Sequence, residues 1–350
     1  MQWEQPDLYV RQGAQMGAGM YYQRRGAKQQ KRLHRIQYDK NPFHNRNSKT
    51  PYRQYHNAGN SMGRQFQFYI ILLVITVIIA GVTLNRIELN IVAEQVKAAG
   101  IDYDSFREML LPVKTIKDIK NKIIAEEKGK EEVKGSSRQV YGEADYITLS
   151  MLLNGYDLNK SKSIGKRNMN YLIDKLSYNK SFLELKKYYN AILEDIKCFP
   201  VGPKSDGKLN ITFIDTWNSY RSYGGNRRHE GTDLMSGENI RGEYPVISMT
   251  DGTVEKMGWL EQGGYRIGIR GICGAYYYYA HLYSYAPDLQ IGDTVKAGDF
   301  LGYMGDSGYG TEGTIGKFDV HLHVGIYVET DFGELSVNPY WILRYLDSIR

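Results

Sequence analysis

Two cysteines in 350 residues are too few for a disulfide-dense scaffold or a four-thiolate zinc site. Phenylalanine is sparse as well. Ten stand against thirty tyrosines, with 37 glycines, a balance that favours β-rich, groove-bearing structure over a helical bundle. A basic globular surface is also missing. Lys and Arg total 45 against 39 Asp and Glu, but residues 1–66 hold 12 of the cations and 3 of the anions, a local +9. The other 284 residues carry 33 (45 − 12) against 36 (39 − 3), or −3. The excess belongs to an N-terminal tail, and a basic domain built for nucleic acid is excluded. The tail is rich in Gln, Asn and Arg, lacks apolar periodicity, and is expected to lie unfolded against anionic headgroups. Its histidines, His34, His44 and His56, have no ligand-like spacing.

Charge is absent from Phe66 to Leu84, nineteen residues reading FQFYIILLVITVIIAGVTL. At 1.5 Å per residue the run covers roughly 28 Å, close to the thickness of a hydrocarbon core. It has no polar face, which sets it apart from an ordinary core helix, and too much chain precedes it for a cleaved leader. Arg46, Lys49, Arg53 and Arg64 precede it, and Arg86 and Lys97 follow it. That asymmetry predicts a single-pass anchor with the N-terminus in the cytoplasm and the remainder outside.

The length suits two domains besides the tail and the span. The expected organisation is a basic tail at 1–65, a transmembrane helix at 66–85, and a helical juxtamembrane segment with a charged linker at 86–144. A small helical spacer follows at 145–200 and an all-β antiparallel domain at 201–350. The linker is EEKGKEEVKGSSR at 126–138. In the spacer, Phe182, Leu185, Tyr189, Ile192 and Ile196 recur at helical steps, as a small core or a face for an envelope partner requires. After Pro203, runs such as YPVISM, TVEKMGW, GYRIGIR and HLHVGIYV alternate with Gly/Asp turns.

Every histidine outside the tail falls in this β domain: His229, His281, His321 and His323. His229 and Asp233 are four residues apart beside glycine-permitted turns. His321 and His323 lie in a strand, whose period of two sends both imidazoles to one face and Leu322 to the core. Imidazole and carboxylate suit zinc. One His and one Asp from the first motif, with one His from the second, would leave the fourth tetrahedral position open to water. The tyrosine run 276–279 alternates across a strand, two rings packing and two bordering a groove. Asp319 shares the face of the histidine pair and is read either as a surface carboxylate or as a group orienting a histidine. Cys198 and Cys273 are read as either a bridge or two free thiols, and neither sits in a reactive context.

YRSYGGNRRHEGTDLM, SMTDGTVEKMGW, YYYYAHLYSY, GDTVKAGDFLGYMGDSGYG and FDVHLHVGIYV resemble, in order and spacing, the lysostaphin-like (LytM-type) peptidoglycan endopeptidases. The resemblance covers about residues 210–335. It implies one zinc per chain held by His229, Asp233 and His323, with His281 and His321 as the catalytic histidines. Tyr223, six residues before His229, falls where some members place a tyrosine near the reacting carbonyl. The resemblance further implies a peptidoglycan peptide as substrate. A membrane-anchored multidomain protein ending in an all-β metallopeptidase domain is therefore expected. The alternative is a zinc-stabilised, weakly active or inactive binding module of a cell-envelope complex.

Overall fold

The computed structural model describes residues 59–131, 141–160, 165–223 and 225–350. The basic tail up to residue 58 and the linker from residue 132 to 138 lie outside the described residues. Two compact units divide at Phe66, and the second, Gln67–Arg350, carries the sheet and the helices packed on it.

Helix α1 (Gly59–Ala98) is one continuous helix of 40 residues. Its apolar run is long enough to cross a membrane by length and composition, and it is bare, with Leu73 63% and Val77 62% exposed. Beyond Arg86 the helix changes character. Leu89, Ala93 and Val96 recur at steps of four and three and are buried, as one helical face docked on a neighbour should be. Asn85 and Asn168 exchange amide hydrogen bonds, the Tyr171 hydroxyl donates to Asn90 Oδ1 at 2.7 Å, and Arg86 lies 4.1 Å over the Tyr171 ring.

Short α2 (Tyr103–Arg107) starts where the Asp102 side chain accepts from the Ser105 amide, and it buries Phe106. Helix α3 (Val113–Glu131) continues through the first residues of the expected linker. Glu and Lys there are strong helix formers, and a single glycine does not stop them. Helices α4 (Glu143–Leu153), α5 (Lys166–Leu176) and α6 (Lys180–Leu193) complete the layer. The Asn179 side chain caps α6, whose Phe182, Leu185, Tyr189 and Ile192 are buried along one face.

The strands are β1 (Ile211–Thr212), β2 (Tyr220–Arg221), β3 (Arg227–Arg228), β4 (Thr232–Ser236), β5 (Pro245–Ile247) and β6 (Gly252–Leu260). Then come β7 (Gly264–Gly271), β8 (Tyr276–Tyr285), β9 (Thr294–Val295), β10 (Phe300–Met304), β11 (His321–Thr330) and β12 (Gly333–Val337). Ten of them form one antiparallel sheet in the order β1-β4-β11-β8-β7-β6-β9. The β5–β10 pair joins at β8, and β12 pairs with the second half of β11. The domain does not end as pure β structure. Helix α7 (Tyr340–Asp347) closes it, burying Ile342, Leu343 and Leu346, because these apolar positions repeat at helical spacing.

Helices and sheet share a core that runs from Leu89 to Leu346. Tyr277, fully buried on the back of β8, donates its hydroxyl to the Ala191 and Ile192 carbonyls at the end of α6. Arg107 donates to the Ser336 carbonyl at 2.9 Å and to Glu230 at 2.9 Å, so α2 reaches across to the mouth of the sheet. Tyr277 and Tyr279 point into the core while Tyr276 and Tyr278 face the opposite side, the alternation of a strand. A Cβ at Gly268 would lie 1.8 Å from the Tyr276 hydroxyl, so only glycine lets that ring lie down on the sheet.

Candidate active site

Strand register assembles the centre. His323 on β11 lies opposite Asp233 on β4 and opposite Ala280 on β8, and His229 enters from the turn between β3 and β4. His229 Nε2, Asp233 Oδ1 and His323 Nδ1 form a triangle with edges of 3.1, 3.0 and 3.0 Å. A Cβ at Gly231 would lie 2.4 Å from His323 Cε1, which explains the glycine between His229 and Asp233.

Protons are scarce in this triangle. His229 Nδ1 is 3.1 Å from the Thr216 carbonyl, which can only accept, so Nδ1 carries the hydrogen and Nε2 a lone pair. Asp233 stays a carboxylate. Burial pushes its pKa up, but the neighbouring imidazoles of His229 and His323 outweigh burial and hold it below the usual range. Three acceptor-type atoms thus share at most one hydrogen, on His323 Nδ1, and a cation would satisfy all three. The edges are close to the roughly 3.3 Å that bonds of about 2.0–2.1 Å at tetrahedral angles require. Two nitrogens and one oxygen, with a fourth side open, fit zinc. The second oxygen, Asp233 Oδ2, accepts from Arg221 at 2.7 Å and fixes the carboxylate.

The two other histidines stand beside the triangle. His281 has φ +64, a left-handed conformation uncommon for a non-glycine residue. Its cause is a β-bulge: Tyr265 faces Leu282 and Ile267 faces Tyr279, so β8 carries one extra residue there. The bulge ties the His281 amide to the Gly263 carbonyl at 2.8 Å and turns the imidazole into the site. Its Nδ1 donates to the Ser307 carbonyl at 2.8 Å, leaving the lone pair on Nε2. Burial pushes its pKa well below the usual imidazole range, and His321 and His323 push it the same way, so it is neutral. His321 is built alike, with Nδ1 donating to the Asp319 carbonyl at 2.7 Å and Nε2 lying 3.8 Å from Asp233 Oδ1. The two rings are 4.7 Å apart, and Phe318 packs against both.

Five of the six residues singled out in the sequence are thereby brought together. Tyr223 stands at one remove. Its ring stacks on Tyr309 at 4.0 Å with an interplanar angle of 1°, and Tyr309 faces His281 and Phe318. Asp319 orients His321 through its backbone carbonyl, while its side chain accepts from Asn239. Cys198 and Cys273 are both free, and burial pushes the Cys273 thiol up to about 11, the opposite of a nucleophile. Sequence reasoning missed Arg221, Thr216, Phe318 and Tyr309. Arg221, Phe318 and Tyr309 stand inside the YRSYGGNRRHEGTDLM, FDVHLHVGIYV and DSGYG blocks, but nothing local sets them apart from turn and strand residues.

The centre lies in an open groove of about 850 Å³. Its floor continues from His323 to Tyr278 at 5.9 Å between rings and on to Tyr327 and Tyr276. The floor is thus a row of aromatic rings, packed edge to face, with polar tips.

Residues 227–339 match the model of peptidase family M23. An L-Ala–D-Glu endopeptidase of Bacillus subtilis is 40% identical over 163 residues, 47% of this chain and 48% of that protein. The glycyl-glycine endopeptidase ALE-1 of Staphylococcus capitis is 34% identical over 90 residues, 25% of this chain and 23% of that protein. The chain thus spans about half the length, or less, of these curated relatives. A crystal structure from Ruminococcus gnavus, of a protein suggested to be a glycyl-glycine endopeptidase (lytM), is 38% identical with a TM-score of 0.59. The match covers 74% of this chain and 96% of that one.

Proposed function

The chain belongs to peptidase family M23, and on that premise we propose a zinc-dependent endopeptidase that cuts stem or cross-bridge peptides of peptidoglycan. The observation that carries this reading is the convergence of His229, Asp233 and His323 beside two imidazoles oriented by backbone carbonyls in one groove.

His229, Asp233 and His323 hold the metal in this reading. Zinc bound there supplies polarisation of the scissile carbonyl and a lowered pKa for water. His281 and His321 move the protons: with Nδ1 tied to a carbonyl in each, Nε2 takes a hydrogen from the attacking water and returns one to the departing amine. Tyr223 supplies a phenol to the carbonyl oxygen as it becomes negative. Arg221 keeps Asp233 aimed by its hydrogen bond to Oδ2. The β-bulge and the hydrogen bond from the His281 amide to the Gly263 carbonyl hold that imidazole in place against a backbone strain of about 1–3 kcal/mol.

The organisation proposed with this chemistry has a cytoplasmic tail at 1–65, a membrane span at 66–85, and a juxtamembrane segment and spacer at 86–144 and 145–200. The catalytic domain at 201–350 is then held outside the cell membrane, where the wall is. The exposed apolar run of α1 and the +9 tail support that direction. The relatives' names mark two kinds of bond open to the groove, one beside an acidic residue and one within a neutral glycine bridge.

The test is digestion of purified peptidoglycan by the detergent-solubilised full chain, with released ends identified by mass spectrometry. New amino termini at peptide bonds, abolished by a zinc chelator and restored by zinc, are expected. No release at any enzyme concentration would leave a binding or assembly module as the reading.

A further inference from the structure

Five cations line the groove: Arg221, Arg227, Arg228, Lys256 and Arg266. They face three carboxylates, Glu230, Asp233 and Glu334. Four of the five cations are engaged. Arg221 donates to Asp233, Arg227 to the Tyr223 carbonyl and the Tyr309 hydroxyl, and Arg228 to the Asn218 carbonyl, while Lys256 faces Glu334 at 3.8 Å. Arg266 differs. Among the described residues its guanidinium has no hydrogen bond or ion pair, and its Nη1 is shut off from solvent without a partner.

A guanidinium presents five donors in a rigid fork and cannot shed its charge. Leaving it unpaired in a part-buried setting is unfavourable. The carboxylates of the groove, Glu230, Asp233 and Glu334, pair with other cations and form no ion pair with it. Burial pushes Tyr276 up to about 12 and raises Tyr278 and Tyr285 also, and the nearby Arg266 charge draws all three back, which places it among phenols.

Its place in the ladder gives the gap a purpose. Asp233, His323 and Ala280 form one cross-strand row, and on β7 the next position, between Tyr265 and Ile267, is Arg266, opposite the Ala280–His281 bulge. Two strand spacings of about 4.8 Å separate it from His323, with Ala280 between them on β8. An extended substrate advances about 3.3 Å per residue, so a group one or two residues from the reacting carbonyl reaches the fork.

We propose that Arg266 is a specificity residue that pairs with a free substrate carboxylate one or two residues from the scissile bond, so that the groove selects acidic peptides over neutral glycine bridges. This rests on the endopeptidase reading and narrows it. Arg266 takes no part in the proton transfers or in metal binding; it holds the substrate by a charge-assisted, fork-shaped contact.

The experiment uses the full chain in detergent with three peptides: one with a glutamate carboxylate beside the scissile bond, the same peptide amidated there, and pentaglycine. Wild type is expected to favour the acid over the amide by roughly 10- to 100-fold in kcat/KM, mainly through KM, the worth of one charged hydrogen bond. Arg266→Gln should cut the acid no better than the amide, keep the amide rate within about threefold, and retain zinc content and melting temperature. Arg266→Lys should recover part of the preference, having charge without the fork. Equal cleavage of acid and amide by wild type, a preference for pentaglycine, an undiminished preference in Arg266→Gln, or equal loss of both substrates in that variant would each overturn the proposal. If wild type cuts none of the three and releases nothing from whole wall, the endopeptidase reading falls, and this inference with it. If it digests wall but cuts only pentaglycine, the inference alone falls.

Discussion

The α-carbon of Gly231 faces the imidazole of His323 so closely that a methyl group would sit 2.4 Å from the ring. The missing side chain is what lets β11 deliver His323 to the triangle completed by His229 and Asp233. Gly231→Ala is therefore expected to leave the sheet folded but displace the ring, lowering zinc affinity by about 10- to 100-fold, the range for disturbing a ligand's support. Competition with a chelator of known affinity measures it. Unchanged affinity would mean that the ring has room to shift and that the glycine has another cause.

The stacked phenols of Tyr223 and Tyr309 allow two assignments for the oxyanion side, and the proposal takes Tyr223. Tyr223→Phe keeps the stack and loses only the hydroxyl. Hydrolysis of wall peptides should fall by about 10- to 100-fold with KM little changed, while Tyr309→Phe stays near wild type. The reverse pattern, read from steady-state rates, would move the role to Tyr309.

Much of this centre is legible along the chain because it obeys the strand's period of two. His321 and His323 share a face, and Leu322, fully buried, takes the other. Which of the pair joins His229 and Asp233 is not written in periodicity; it depends on the register that sets His323, not His321, opposite Asp233. His281 is harder still, because an ideal strand would aim it differently and a one-residue bulge corrects it. Arg221, Arg266 and Tyr309 come from strands and turns whose meeting is a matter of tertiary register. The sharing of one core by helices and sheet is likewise invisible locally: Tyr277 reads as one more strand tyrosine until its hydroxyl is seen capping the end of α6.

The orientation proposed for α1 has a direct consequence. Protease added to intact cells that lack an outer membrane should degrade the 201–350 domain and spare an epitope placed at the N-terminus. Loss of the epitope with survival of the domain would place the catalytic unit on the wrong side for a wall substrate.

The most direct measurement is paired zinc content and wall hydrolysis for His281→Ala, His321→Ala and His323→Ala, each as the full chain. His281 and His321 are assigned proton transfer and no metal bond. Their variants should keep one zinc per chain and lose roughly 10²–10⁴ in rate, the range for a positioned acid–base group. The double variant should lose less than the product of the two, since groups acting as a unit are not additive. His323→Ala should lose metal and activity together. Wild-type hydrolysis by His281→Ala, or a full complement of zinc in His323→Ala, would contradict the division between metal-holding and proton-moving residues.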